Sequence, residues 1–332
     1  MKYTAIFAAV LLLSYSAVAK TTVLHPSGGD DTAAIQNACN QGIAVLTDGV
    51  YNVSSVTCKN VVSASADAFF WYEGQQPTTK LKGVVSGVRG VLVCPSPGPC
   101  AYRGFEVNPP AGVAGIVLDS VHGAQLLQMS VIEDNGDKSS GACVDMNVNN
   151  GGDNQNFVVQ GGTYGGCGGW CFDFSTVSDK GTSDSSWYGV DVSNCGLGAV
   201  HISFGYSNQF VGNRIQDQFS LPGLQLDSGG NDVIASNLFD KNLSDMVLGT
   251  GPQGQSIGWY GAVTGNQSCE LQGGAMFDIE GPVEINASGN LSCGPSYLVG
   301  ANAWVGGGFY DPNPTYAGDG GHTQALISPL VH

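Results

Sequence analysis

One short pattern returns at nearly fixed distances between residues 141 and 229, and it limits the chain to a few architectures. The pieces read Ala142-Cys143-Val144-Asp145-Met146-Asn147, Trp170-Cys171-Phe172-Asp173-Phe174-Ser175, Ala199-Val200-His201-Ile202-Ser203 and Gly223-Leu224-Gln225-Leu226-Asp227. Successive offsets are 28, 28 and 24 residues. Each piece alternates apolar and polar residues, as a strand with one buried face does. One strand of this kind per 20 to 30 residues predicts a solenoid whose coils stack as rungs. The inward pairs are then Ile116/Leu118, Val144/Met146, Phe172/Phe174, Val200/Ile202, Leu224/Leu226, Met246/Leu248 and Phe277/Ile279. Further strands fit at Phe157-Val158-Val159, Val190-Asp191-Val192, Phe210-Val211 and Val233-Ile234, with Asn-centred corners at Gly212-Asn213 and Ser236-Asn237.

Residues 1–19 have the form of a secretory signal. Lys2 precedes an apolar run from Ala5 to Leu13, and Ala17-Val18-Ala19 supplies small residues for cleavage. Export predicts an oxidising compartment, and the ten cysteines fit it, being even in number with spacings that follow the repeat. Stacked rungs place equivalent residues roughly 5 Å apart, so the expected bridges are 143–171, 167–195 and 269–293, with short-range pairs 39–58 and 94–100. Zinc is the competing use of the cysteines, but no Cys-x-x-Cys pair accompanies them. Asn-x-Ser sequons at Asn52, Asn242, Asn266, Asn286 and Asn290 are those of a secreted glycoprotein. A formal charge of −16 with 11 Lys and Arg argues against nucleic acid and anionic membranes as partners. A monomer acting on a polysaccharide is expected.

The start of the mature chain, from Gly29-Asp30-Asp31-Thr32 to Gly49-Val50-Tyr51, resembles the opening of the pectin-lyase-like right-handed parallel β-helix proteins. The resemblance implies an all-β solenoid of about 8–10 coils whose open end is plugged by a short helix. Ala34, Ile35, Ala38 and Cys39 would form that helix's apolar stripe, with Asp30 or Asp31 capping it. The expected domain spans residues 20–305, followed by a Gly/Pro-rich tail over 306–332. The aromatic cluster Phe69-Phe70-Trp71-Tyr72 lies in a less regular stretch and fits either a sugar groove or an early coil's interior.

Outward positions on the aligned strands carry the candidate chemistry. One column is Val117, Asp145, Asp173, His201, Gln225, Val247, Asp278; the next is Asp119, Asn147, Ser175, Ser203, Asp227, Gly249, Glu280. Asp145, Asp173 and His201 thus stand on successive rungs, with Asp119 and Asp227 on the diagonal. Carboxylates so close repel, which predicts that one holds its proton towards neutrality. Glycoside hydrolysis needs that pairing: an acid for the leaving oxygen and a carboxylate as base or nucleophile. Asp145, Asp173, His201 and Asp227 are therefore the candidate catalytic residues, and Asp119, Asn147, Gln225 and Tyr206 the candidate sugar contacts.

No cofactor is expected for hydrolysis. A polysaccharide lyase is the first alternative, with calcium held by Asp119, Asp145 and Asp173. A glycan-binding adhesin with aromatic edges at Tyr164, Tyr206, Trp259 and Tyr260 is the second. Polygalacturonases look similar in fold, but their Asn-Thr-Asp, Asp-Asp, Gly-His-Gly and Arg-Ile-Lys motifs are missing here. The corresponding segments read Cys143-Val144-Asp145, a single acid at Asp173, Ala199-Val200-His201 and Arg214-Ile215-Gln216, so no catalytic role carries over from them.

Overall fold

A computed structural model describes residues 19–65, 77–133, 138–146, 153–174, 181–250, 258–294, 297–299, 304–306, 309–310 and 316–318. Residues 1–18 of the expected signal, the cluster at Phe69 to Tyr72 and Asn147 lie outside these residues. Eleven parallel strands form one continuous wall: Val56–Thr57, Gly90–Cys94, Ala114–Leu118, Val144–Asp145, Trp170–Phe174, Gly198–Ile202, Leu224–Leu226, Met246–Leu248, Phe277–Ile279, Tyr297–Val299 and Tyr316–Gly318. Between consecutive members the chain travels round a second sheet and returns one rung further on, which makes a parallel β-helix. Pairing runs on beyond residue 305, through Trp304–Gly306, Phe309–Tyr310 and Tyr316–Gly318.

The register is the one that the repeat dictates: Val144 pairs with Phe172, Phe172 with Val200, and Val200 with Leu224. Every inward pair named from the sequence is buried. Between the walls, Trp187 stacks on Phe210 at 4.4 Å between centroids and takes the edge of Phe157 at 4.9 Å. The helix Thr32–Gln41 closes the first coil with Ile35 and Ala38. Ala34 faces outward and Cys39 is half-buried, so the stripe is narrower than the sequence suggested. At the helix start, the Asp30 carboxylate accepts from the Thr32 N–H at 2.9 Å, while Asp31 accepts from the Ser27 N–H at 2.9 Å.

Two of the five expected disulfides are re-paired. Cys39–Cys58, Cys94–Cys100 and Cys269–Cys293 form as expected, but the central pairs are Cys143–Cys167 and Cys171–Cys195. Cys143 and Cys171 do stack on neighbouring rungs, because Val144 and Phe172 are in register. In-register cysteines on neighbouring rungs can bridge, as Cys269 and Cys293 do, but Cys143 and Cys171 each bond a cysteine of a corner instead. Cys167 and Cys195 sit in the corners that lead into the next strands, and there they face Cys143 and Cys171, at Cα separations of 5.5 and 5.6 Å. All three long bridges share a sequence separation of 24.

The Asn-centred corners form a ladder. Asn237 donates its side-chain N–H groups to Phe210 O at 2.8 Å and Asn266 Oδ1 at 2.9 Å, and its Oδ1 accepts from the backbone and side chain of Asn213. Asn266 repeats the pattern with Ile234 and Asn290. Of the sequons, Asn242 and Asn266 are fully buried in such contacts, so the folded protein cannot carry glycans there. Asn237→Ala would strand several buried donors and acceptors at once, each costing about 1–3 kcal/mol. A loss of about 3 kcal/mol or more is expected in urea unfolding, against under about 0.5 kcal/mol for Asn286→Ala at an exposed site.

Candidate functional site

The outward column forms as a continuous strip. Val117 pairs with Asp145, Asp145 with Asp173, Asp173 with His201, His201 with Gln225, Gln225 with Val247, and Val247 with Asp278. Alternation along each strand turns these side chains away from the core that their neighbours fill. In the second column, Asp227, Gly249 and Glu280 each follow their strand, and each N–H bonds the carbonyl one rung below, at Ile202, Leu226 and Leu248.

His201 lies at the centre. Its Nε2 is 2.9 Å from Asp227 Oδ2, and its Nδ1 is 3.9 Å from Asp173 Oδ1. One imidazole therefore touches carboxylates that stand two rungs apart. Its ring packs against Trp170 from the rung below, centroids 4.9 Å apart, which fixes its plane. The His201 side chain is 12% exposed and Asp173 is 21% exposed, so the group is packed but reachable. Asp227 also accepts from Gln225 Nε2 at 3.0 Å and from the Thr250 hydroxyl. Burial alone would raise its pKa, but these hydrogen bonds and the His201 charge outweigh burial and hold it below the usual carboxylate value.

A second group adjoins the first. Arg89 donates Nε to Asp145 Oδ2 at 3.0 Å and Nη1 to Asp119. Burial would lower the guanidinium's pKa; the two carboxylates reverse that and raise it. Asp145 is thus committed to a cation, although it is stacked on Asp173 as the spacing required. Calcium on Asp119, Asp145 and Asp173 fits poorly, since two of those three carboxylates already bond Arg89, which supplies the positive charge there. The sulfurs of Cys143, Cys167 and Cys195 cluster closely, but all three are in disulfides and offer no thiolate to a metal.

The structure brings together Asp119, Asp145, Asp173, His201, Gln225 and Asp227. Tyr206 is not among them: it belongs to Gly205–Tyr206 of the other sheet, beyond the corner, where its ring packs on Phe204. Sequence reasoning missed Arg89, Trp170 and Thr250. Arg89 comes from the irregular stretch before the repeat can be aligned, so no column pointed to it. Trp170 was in view as the first residue of its piece, three before Asp173, but its contact with the next rung was not.

No family model matches the chain, and no curated protein matches it. Among solved structures, an alginate lyase from Paenibacillus sp. str. FPU-7 is similar over 85% of this chain and 98% of its own, with 13% identity and a TM-score of 0.51. The gp42 tailspike of Acinetobacter phage vb_AbaP_AS12 is similar over 93% of this chain and 65% of its own, with 12% identity and a TM-score of 0.51. The fold is a parallel β-helix, consistent with the right-handed pectin-lyase-like kind. At these identities the likeness is one of fold, and a β-helix of this kind hosts many chemistries. The His201 group therefore has to be read from its own geometry.

Proposed function

We propose that this β-helix hydrolyses a glycosidic bond in a polysaccharide, with Asp173 as the proton donor and Asp227 as the base that activates water. The observation that carries the reading is the imidazole of His201 in contact with both carboxylates. Two rungs separate the acids by roughly 10 Å along the axis, near the spacing at which a water fits beside the sugar in inverting hydrolysis. Asp173 gives its proton to the leaving oxygen, and Asp227 takes one from the attacking water. Each turnover then leaves the base protonated and the donor ionised. His201 touches both and can return the proton from Asp227 to Asp173, which resets the site. Asp145 and Asp119, both paired with Arg89, hold the lower end of the strip.

An open strip along the β-helix suits an extended chain, so polysaccharides are the substrates to test first. The protein is expected to release new reducing ends from a member of a panel of plant and microbial wall glycans, without unsaturated products. Unsaturated products would instead assign a lyase. Binding with no turnover on any glycan of the panel would assign an adhesin. Asp173→Asn should lower turnover by about 10²–10⁴-fold with an unchanged melting curve, and full activity in that variant would overturn the assignment.

A further inference from the structure

The acidic strip carries a counter-charge at one end and not at the other. At the lower end Arg89 stands between Asp119 and Asp145 and bonds both. At the upper end the first column reads Gln225, Val247, Asp278, paired rung on rung. The second reads Asp227, Gly249, Glu280, each N–H bonding the carbonyl one rung below. Asp278 and Glu280 thus share one rung and one face, two rungs or roughly 10 Å above Asp227. Neither has a Lys, Arg or His within ion-pair distance among the described residues.

Asp278 Oδ2 accepts from the Ser244 hydroxyl at 3.2 Å. Burial, then the charge of Glu280, pushes its pKa up to about 6, and no cation is among the influences on it. Two carboxylates held together in this way repel until a positive group arrives. A metal ion finds few ligands here. Calcium takes about 6–8 oxygens, and no third acid or histidine joins the pair among the described residues. Val247 lies half-buried between Gln225 and Asp278, an apolar step between two polar ones. Rungs rise by roughly 5 Å, close to the length of one sugar in an extended 1,4-linked chain. A glycan lying along the strip therefore sets successive sugars on successive rungs.

Resting on the hydrolytic reading of the strip, we propose that its substrate is a cationic glycan, a polymer of amino sugars with free amines, with the ammonium group of the sugar two rungs beyond Asp227 seated on Asp278 and Glu280. An ammonium carries several donors on one charge, and its hydrogen bonds to carboxylates are of the strong, charge-assisted kind. Its arrival favours the ionised form of Asp278. The net charge of −16 draws a polycation towards the surface, whereas a uronide meets repulsion at this end of the strip.

The test is titration calorimetry at about pH 6 with a β-1,4-linked glucosamine oligosaccharide, its N-acetylated counterpart, and a uronide oligosaccharide with and without calcium. The full chain carrying Asp173→Asn keeps turnover out of the measurement. The free-amine form should bind about tenfold more tightly than the others, or better. Adding Asp278→Asn should weaken it about tenfold, and adding Glu280→Gln, at an exposed site, about threefold. Both substitutions remove a charge and keep the shape of the side chain, so the β-helix is expected to fold. Asp184→Asn, at an exposed position on the second sheet side, should leave binding unchanged. Equal binding of the N-acetylated form, tighter binding of the uronide with or without calcium, indifference to both Asp278→Asn and Glu280→Gln, or an equal loss in Asp184→Asn would each overturn the proposal. Amine binding through Asp278 with no new reducing ends from the wild type would count against hydrolysis alone. Hydrolysis of neutral glycans with no preference for free amines would leave hydrolysis standing and overturn the amino-sugar assignment.

Discussion

His201→Ala is expected to lower turnover by about 10²–10⁴-fold and to move the acid limb of the pH–rate profile upward. Both effects follow from the contacts of one ring. Burial acts on Asp227 to raise its pKa, and the hydrogen bond and charge of His201 are among the influences that reverse the sign. Without the imidazole, Thr250 and Gln225 remain as donors, and burial weighs more heavily. The base then protonates at a higher pH, so activity falls off earlier on acidification. In the proposed mechanism the ring also returns the proton from Asp227 to Asp173, so its loss would leave the site in the wrong protonation state after each cycle. A merely structural histidine would lower the melting temperature and leave the limb where it was. Profiles of kcat/KM against pH for the wild type and His201→Ala decide between these: an unshifted limb with undiminished kcat would remove His201 from the mechanism. Asp227→Asn should abolish the acid limb altogether.

The solenoid was legible because its signal is geometric. Offsets of 28, 28 and 24 residues return the same alternation, and a side-chain period of two leaves little freedom in which residues face the core. From that register the stack Asp145, Asp173, His201, Gln225 follows directly, as does the diagonal neighbour Asp227. Direction within a corner was not legible. The equal spacing of Cys143 and Cys171 indicated proximity, but convergence of Cβ vectors depends on how the chain turns before Trp170, and that gave the bridge to Cys167 instead. Arg89 was hidden for a related reason. Long side chains cross rungs, so its contacts with Asp119 and Asp145 are 30 and 56 residues away and obey no repeat. In the proposed mechanism its presence moves the acid–base roles from the Asp145/Asp173 pair to Asp173, His201 and Asp227. Tyr206 was misplaced because a two-residue corner carried it onto the other sheet.

Stability is expected to fall as pH rises from about 4 to about 7, the reverse of the trend in most acid-sensitive proteins. Asp232 and Asp245 are fully packed under the corners, and burial pushes the pKa of each up to about 7. For Asp232, hydrogen bonds from the Asn208 N–H and Trp259 Nε1, both at 2.8 Å, offset burial only in part. For Asp245, the Ser268 hydroxyl and Asn242, which donates to Oδ1 at 3.1 Å, likewise offset burial only in part. An unfolded aspartate ionises near pH 3.9. Between that value and the folded one, the native state holds protons that the unfolded chain has released, so stability declines with pH across the window and levels off above it. A tenfold difference in proton affinity between the folded and unfolded chain corresponds to about 1.4 kcal/mol, so the two carboxylates together are worth several kcal/mol. Asp278, raised to about 6 by burial and the neighbouring Glu280, adds to the same slope. Asp227 acts in the opposite sense: its lowered pKa contributes stability above the unfolded value, which is lost as pH falls through the folded one. Urea unfolding of the disulfide-intact protein at pH 4.5, 6 and 8 should give decreasing midpoints. Asp245→Asn keeps the oxygen that accepts from Asn242 and removes the titration, so its midpoint should vary less with pH and should exceed that of the wild type at pH 8. A midpoint that rises steadily from pH 4.5 to 8 in the wild type would mean that these two carboxylates stay ionised in the folded β-helix.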